Sequence, residues 1–301
     1  MARIISLIPS ATEIVCALGL SDSLVGITHE CDYTSAVSTV PVVTRSLIDH
    51  SNSSSNEINT HISEAVHSGS GIYSIDNKLL DLVNPELILT QELCQVCAVA
   101  YSDVEQCVST LSGEQTVLSF EPLSVEDILD TITHIGKYTG SESAALALVE
   151  QAHDRVRTVQ EKSNTVNRRP NVLAVEWLEP LFTGGHWVPE MIEIAGGTSA
   201  LGYAGAPSKQ VTEREAIESK ADLAILMSCG YNLEQTLTEF AKTSENSFWR
   251  EYEGPVYAVD GSAYFSRPGP RIIDGIEILS EIINHTLFSR QKSQSDWLRI
   301  R

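Results

Sequence analysis

Residues 2–20 read ARIISLIPSATEIVCALGL. Isoleucine and leucine crowd the first positions, and a short apolar run rich in β-branched residues is strand material. The run stops at Pro9, and Ser10-x-x-Glu13 has the spacing of a capping box, so an apolar-periodic helix is predicted from there through Leu18. The pattern returns in LVGIT (24–28), VPVVT (40–44), ELILT (86–90) and QTVLSF (115–120), with helix-like segments after most of them. Such alternation predicts a parallel α/β architecture. A second box, Ser124-x-x-Asp127, opens another helix, whereas 45–71, which holds SNSSSNE, reads as a polar, solvated segment.

From Ser141 to Ser163 the chain runs without Gly or Pro, and Leu146, Val149, Val156 and Val159 recur at helical spacing. One long connecting helix is predicted there. NTVNRRPN (164–171) breaks it, and NVLAVEW (171–177) restarts a strand pattern. At 301 residues two lobes are expected, and the predicted boundaries are a first lobe over 1–140, the connector over 141–166 and a second lobe over 167–301. The halves echo each other. DNKLLDLV then ELILT in the first matches EREAIES then DLAILM in the second at an offset of 136 residues, and QTVLSFEPLS matches GPVYAVDGSA about 139 residues on.

Lys plus Arg number 20 against 40 Asp plus Glu, a formal charge of −20. That sign disfavours nucleic acid and anionic membrane surfaces as partners. No apolar run approaches the roughly 18 residues of a spanning helix, so no integral membrane segment is expected. The first 20 residues lack the unbroken apolar stretch of a secretory signal, which predicts a cytoplasmic chain, or a periplasmic one if this is a processed form. Six cysteines are too sparse for a disulfide scaffold and fit a reducing compartment.

Ligands of open parallel sheets bind beyond the carboxyl ends of the strands, so the loops there are the candidates. Aromatic residues make up only 6% of the chain, yet Trp177, Phe182, Trp187, Tyr231, Tyr264 and Phe265 fall in or beside these loops. Together they read as walls for a large flat ligand, with Trp187 and Phe265 as the principal ones. Gly184 and Gly185 precede His186 and Trp187, an arrangement that allows close backbone approach and opens a helix whose first amides can meet a polar ligand. No phosphate loop, dinucleotide fingerprint, nucleophile elbow or His-Glu-x-x-His motif occurs.

Cys94-x-x-Cys97 is the sharpest spacing in the chain. Two such thiols can share a metal, form a redox pair or simply fill space. With His29 and Cys31 after a neighbouring strand, four ligands for zinc or iron can converge in the first lobe; His29 alone reads as a structural hydrogen-bonder. Cys16 and Cys107 sit in helix patterns and read as core.

RIISLIPSATEIVCALGL, HECDY, NPELILTQELCQVCAV, LFTGGHWVPEMIEIAGG and GSAYFSRPGPRIIDGIEIL, in that order over nearly the whole chain, resemble the class III periplasmic-binding-protein superfamily. The nearest likeness is to its cobalamin-binding subset. The resemblance implies two Rossmann-like lobes joined by a single long helix, with the ligand in the cleft between them. It implies ligand contacts at Pro9, Asp32, Tyr33, Tyr73, Phe182, Gly185, His186, Tyr264, Phe265 and Arg267, with Phe265 and Tyr264 on a corrin face or edge and Arg267 on its carboxamides. It also implies an acidic residue on each lobe that docks on permease arginines, and there this sequence departs: Lys78 and Arg214 stand at those positions, although Asp76, Glu213 and Glu215 are close by.

The leading expectation is therefore a soluble, non-enzymatic protein that holds a corrinoid, a cobalamin-like macrocycle, and does not serve as an importer subunit. Two alternatives stay open. One is a metal-binding protein or metal-assisted enzyme using the Cys/His cluster; the other is the substrate-binding subunit of a cobalamin or iron-siderophore ABC transporter.

Overall fold

A computed structural model describes residues 2–47, 55–68, 72–92, 101–109, 111 and 114–301. The chain forms two compact units, residues 1–122 with 129–149 and residues 123–128 with 150–301.

In the first unit β1 (Ile4–Ser6) is buried on both faces and pairs in parallel with β2 (Leu24–Ile27) and β5 (Leu87–Thr90); β6 (Thr116–Ser119) extends the sheet in the order β2-β1-β5-β6. Strands enclosed on both sides have no polar alternation to display, which is why ARIISLIP and ELILT read as continuous apolar runs. Helix α1 (Pro9–Ala17) follows β1, but not through the predicted box. Its N-cap is Ile8, no side chain caps it, and Ser10 and Glu13 are buried inside the helix. Pro9 at the first helical position presets φ and lacks the N–H that a cap would have satisfied.

VPVVT departs from expectation as well. Pro41 has no N–H to give a ladder, and this stretch makes a single parallel bridge, Val42 to Ile27. The extended chain starts at Thr44 as β3 (Thr44–Ser46), antiparallel to β4 (Tyr73–Ile75) and outside the parallel sheet. Part of the expected polar loop is helix α2 (Ser55–Ser68), which buries Ser55 and Ile58 and half-buries Ile62. Helices α3 (Asn77–Val83) and α4 (Tyr101–Val108) precede β5 and β6.

The Ser124-x-x-Asp127 box forms as predicted at α5 (Val125–Thr139). The Ser124 amide donates to Asp127 Oδ2 at 2.9 Å and the Asp127 amide to Ser124 Oγ at 3.1 Å. The Leu123 amide, which also donates to Oδ2, is the main cause that holds the Asp127 carboxyl below its ordinary pKa. Helix α6 (Glu142–Ser163) fills the stretch from Ser141 to Ser163 that reads as one long helix. Its buried stripe is Ala145, Ala152, Val159 and Ser163, while Leu146 is 60% exposed. The small residue is required: a side chain on Gly136 of α5 would meet Ala145 Cβ at 2.4 Å. The division between the two units falls within α5 and α6.

The second unit is built on β7 (Asn171–Trp177), β11 (Leu223–Leu226) and β12 (Val256–Val259), which are parallel. Around them lie β8 (Phe182–Thr183), β9 (Thr198–Ser199), β10 (Lys209–Gln210) and β13 (Trp297–Arg299), in the order β10-β8-β7-β11-β12-β13 with β9 beside β7. The helices are α7 (Val188–Ile194), α8 (Glu213–Glu218), α9 (Leu233–Thr243), α10 (Ser247–Glu251), α11 (Gly261–Tyr264) and α12 (Ile272–Ile283). Phe248, Trp249 and Tyr252 pack on Leu173, Val175 and Leu226 as the core of one sheet face.

The internal echo is a structural repeat. Asp76 caps α3 and Thr212 caps α8; each helix then ends in a left-handed non-glycine residue, Asn84 (φ 41) and Lys220 (φ 51), before β5 and β11. Cap, left-handed turn and strand start are all separated by the same 136 residues.

A four-charge cluster ties α6 to α12 and the segment after it. Arg155 Nη2 lies 2.8 Å from Asp274 Oδ1 and 2.7 Å from Glu277 Oε2, and Lys292 Nζ lies 2.6 and 2.9 Å from the same two oxygens. Burial alone would raise both carboxyls, but their hydrogen bonds to Lys292 and Arg155 together hold both below their ordinary pKa. Groups depressed in the folded state stabilise it above the ordinary carboxylate range and cease to do so as pH falls through their folded values. Arg155 is about a third exposed, so Arg155→Met is expected to cost about 1–3 kcal/mol near neutral pH, below the full penalty of breaking a buried pair. Urea unfolding at about pH 7 and about pH 3 checks it: the wild type should lose more stability across that interval than the variant does.

Candidate functional site

In the first unit the loops after β1 and β2 meet. Cys31 Sγ lies 3.0 Å from Thr12 Oγ1 on α1, and the His29 ring packs against Tyr73, with centroids 5.2 Å apart. Hydroxyl protons settle the imidazole. Thr44 Oγ1 donates to Thr28 Oγ1 at 2.9 Å, so its lone pairs take the His29 amide at 3.0 Å and Nδ1–H at 2.7 Å. Nδ1 therefore carries a proton, assigned from this bonding inventory. Nε2 is buried beside Glu30 Oε1 at 3.2 Å, within ion-pair distance but outside hydrogen-bond geometry. His29 is thus a hydrogen-bonded residue, as its isolated reading predicted. Pro9 opens α1, half-buried; Asp32 and Tyr33 follow Cys31 at the surface, Tyr33 being 56% exposed. Cys94 and Cys97 lie outside the described residues. Among the described residues no group of three or more His, Cys, Asp or Glu side chains is placed to hold a metal ion.

In the second unit the loops after β7, β8, β11 and β12 knit together. Trp177 at the end of β7 packs on Tyr231 after β11, with ring centroids 5.2 Å apart and both rings half-buried. Tyr231 is joined to the β12 loop through its carbonyl, which accepts the Ser262 amide at 2.9 Å. His186 follows β8 at φ 51, a left-handed conformation uncommon for a residue with a side chain. Among the described residues its ring nitrogens have no hydrogen-bond partner, and burial holds the imidazole below its ordinary pKa, which keeps it neutral at pH 7. Phe182 lies half-buried in β8.

Three expectations are corrected here. Trp187 and Phe265 are not open walls: they are 5% and 2% exposed, and Trp187 Nε1 donates to the Phe265 carbonyl at 2.9 Å. Large rings next to strand ends close the core when their polar atoms find backbone partners. Tyr264 gives its hydroxyl to Asp296 Oδ1 at 2.8 Å and lies 5.9 Å from the Arg271 guanidinium, while Arg267 is half-buried in the loop beyond. The close approach at Gly185 is to the protein's own chain: a Cβ there would sit 2.2 Å from Ser208 N and 2.6 Å from Pro207 C. Helix α7 offers fewer free amides than its position implied, since Pro189 has none to give and the Val188 and Met191 amides donate to the Gly185 and Trp187 carbonyls.

Two residues escaped the sequence reading. Tyr203, 71% exposed, stands on the strap 202–210 that crosses Gly185. Glu176, beside Trp177, turns its carboxylate inward, where the Ser208 hydroxyl and, at 3.4 Å, the Gly185 amide donate to it. Burial outweighs these two bonds and pushes its pKa up to about 7. A lone carboxyl at the end of an apolar central strand is the signal that marked it.

A family model described as periplasmic binding protein matches residues 4–250. The chain belongs to this family. The uncharacterized ABC transporter substrate-binding lipoprotein YvrC of Bacillus subtilis (strain 168) is 25% identical over 296 residues, covering 93% of this chain and 79% of the relative. A vitamin B12-binding protein of Photorhabdus laumondii is 25% identical over 285 residues, covering 94% and 88%. Among solved structures, a periplasmic heme-binding protein from Pseudomonas aeruginosa superposes with TM-score 0.72 at 16% identity over 99% of this chain and 97% of the other. The vitamin B12-binding protein BtuF of Vibrio cholerae gives 0.66 at 17% identity over 94% and 97%. At those identities the structures speak for the fold. Among the described residues no helix is long and apolar enough to cross a membrane.

Proposed function

We propose that the chain is a binding protein of the ABC-transporter substrate-binding kind, without catalytic chemistry, whose ligand is a flat metallo-macrocycle and foremost a corrinoid. The observations that carry this are the half-buried Trp177–Tyr231 ring pair, which joins the loops at the carboxyl ends of the parallel strands β7 and β11, and the neutral imidazole of His186 in the loop after β8. Rings of this size offer apolar faces to a macrocycle, and His186 offers it an unengaged nitrogen. The vitamin B12-binding relatives support a corrinoid as the first reading. A haem is the second reading, favoured by that same imidazole, which suits iron as an axial ligand. Tyr33, Asp32, Tyr73 and Pro9 in the first unit, and Phe182, Tyr203 and Arg267 in the second, are the further contacts proposed.

The reading carries an extracytoplasmic location with it, since YvrC is called a lipoprotein and the two structures named above are called periplasmic; the cytoplasmic expectation finds no support among them. Lys78 and Arg214 are exposed on α3 and α8, and Arg214 pairs with Glu218. Asp76 and Glu215 accept the amides that cap those helices. Docking on permease arginines is accordingly proposed to be weakened by like charge.

Purified protein titrated with cyanocobalamin, haemin, a ferric siderophore and ATP tests the reading by absorbance and calorimetry. Micromolar or tighter binding of a macrocycle with a shifted visible spectrum is expected, and no binding of ATP. Strong nucleotide binding with no macrocycle bound would end it.

A further inference from the structure

The strap 202–210 is held by polar contacts. Tyr203, Ala204, Gly205, Pro207, Lys209 and Gln210 are exposed, so little apolar burial fixes it. Its ties are the β10–β8 pairing, the His186 amide to the Ala206 carbonyl at 2.6 Å, the Gly205 amide to the His186 carbonyl at 2.9 Å, and the Ser208 hydroxyl to Glu176. The fit is close. Side chains added at Gly185 or Gly202 would run into backbone at 2.2 and 2.1 Å. Glu176 therefore lies beneath the strap, bonded to the strap through Oε2 and to the Gly185 amide through Oε1.

We propose that Glu176 is a proton-operated latch: protonated, it clasps the strap 202–210 onto the segment 184–187, and ionised, it drives the strap open, so that the edge of the second unit bearing His186 and Tyr203 responds to pH. The neutral acid suits the closed geometry. Its O–H can donate to Ser208 Oγ while its carbonyl accepts the Gly185 amide, leaving no buried charge. The carboxylate, half-buried beneath the strap, accepts two bonds there, and lifting the strap returns it fully to water. The state in which a carboxyl titrates higher is the state that protonation favours, so the closed strap is favoured as pH falls through about 7 and disfavoured as it rises. The titratable groups on the surrounding segments are His186 beside Gly185, Tyr203 and Lys209 on the strap, and Cys229, whose amide donates to the Glu176 carbonyl at 3.0 Å. Burial, opposed by the Ser208 and Gly185 bonds, accounts for the shift of Glu176, and burial alone for that of His186. β8 adds no ionisable side chain.

Only the ligand readout of this proposal rests on the binding role proposed above. Amide hydrogen exchange of the whole chain, corrected for intrinsic rates, should show the protection of His186 and Gly205 falling about tenfold between about pH 6 and pH 8.5. Glu176→Gln, which keeps a donor and an acceptor without charge, should hold the wild type's low-pH protection throughout. Ser208→Ala should lower protection at the acid end and shrink the step. A wild type without the step, or a Glu176→Gln variant that retains it, overturns the latch. In parallel, the affinity for cyanocobalamin or haemin should weaken as pH rises in the wild type and stay level in Glu176→Gln. If neither probe binds at any pH while the amide step persists, the latch stands and the binding role falls; if a probe binds and the step is absent, the latch alone falls.

Discussion

Trp187→Ala is expected to destabilise the protein by about 3–5 kcal/mol, the range for removing a fully packed large ring. The ring is 5% exposed between the β8 loop and the loop after β12, and its Nε1–H satisfies the Phe265 carbonyl at 2.9 Å. Truncation leaves a cavity and an unpaired buried acceptor together. Trp187→Phe separates the two, because it keeps most of the apolar volume while stranding the carbonyl; it should cost about 1–3 kcal/mol. Phe265→Ala belongs to the same class, since Phe265 is 2% exposed and its ring edge lies 3.4 Å from the position of a Cβ on Gly275. Urea unfolding followed by far-ultraviolet circular dichroism gives the number. Wild-type stability in Trp187→Ala together with lost macrocycle affinity would return the ring to the ligand wall that its loop position had implied.

That inversion marks where sequence reading stops. An aromatic residue beside a glycine turn has the same local pattern whether its ring meets a ligand or its own core, and the difference lies in which carbonyl, 78 residues away, its N–H reaches. The strands were legible because enclosed parallel strands leave apolar runs with no competing period. Helix α2 was not, since its buried residues, Ser55 and Ile58, sit in a stretch otherwise rich in serine and asparagine, and composition outweighed the Ile58–Ile62 spacing. The start of α1 was misread for a related reason: Ser10-x-x-Glu13 satisfies the pattern of a box, but Pro9 had already fixed the first helical residue two positions before the Ala11 that such a box implies.

Of the candidate site, the loops were legible and their internal partners were not. Strand-end position brought forward Trp177, His186 and Tyr231, and the ring contact between Trp177 and Tyr231 joins two loops that chain order keeps 54 residues apart. The lone carboxyl in NVLAVEW was the one mark that Glu176 left in the sequence; its desolvation and the strap over it stayed hidden, because desolvation is a property of the surrounding fold. The 136-residue echo fared better than any single motif, since a cap, a left-handed turn and a strand start are three local requirements that must all keep register.

Gly185→Ala carries the second large effect, and its cause is purely steric. The added methyl would lie 2.2 Å from Ser208 N, 2.6 Å from Pro207 C and 2.8 Å from Ala206 O, all backbone atoms. A flexible side chain could turn away; the backbone must move as a unit, and the strap is what can move. Lifting it strains or breaks the His186–Ala206, Gly205–His186 and Ser208–Glu176 bonds together. A cost of about 2–3 kcal/mol in urea unfolding is expected, near the upper range for overpacking. Macrocycle affinity should drop by about tenfold or more, since 1.4 kcal/mol of lost preorganisation suffices for that. The control is Ser208→Gly placed in the Gly185→Ala background. It removes a side chain but none of the three clashing atoms, so it should restore neither stability nor affinity. Recovery in the double variant would mean that the strap yields at its side chains, and that the backbone contact at Gly185 does not set the geometry of this edge.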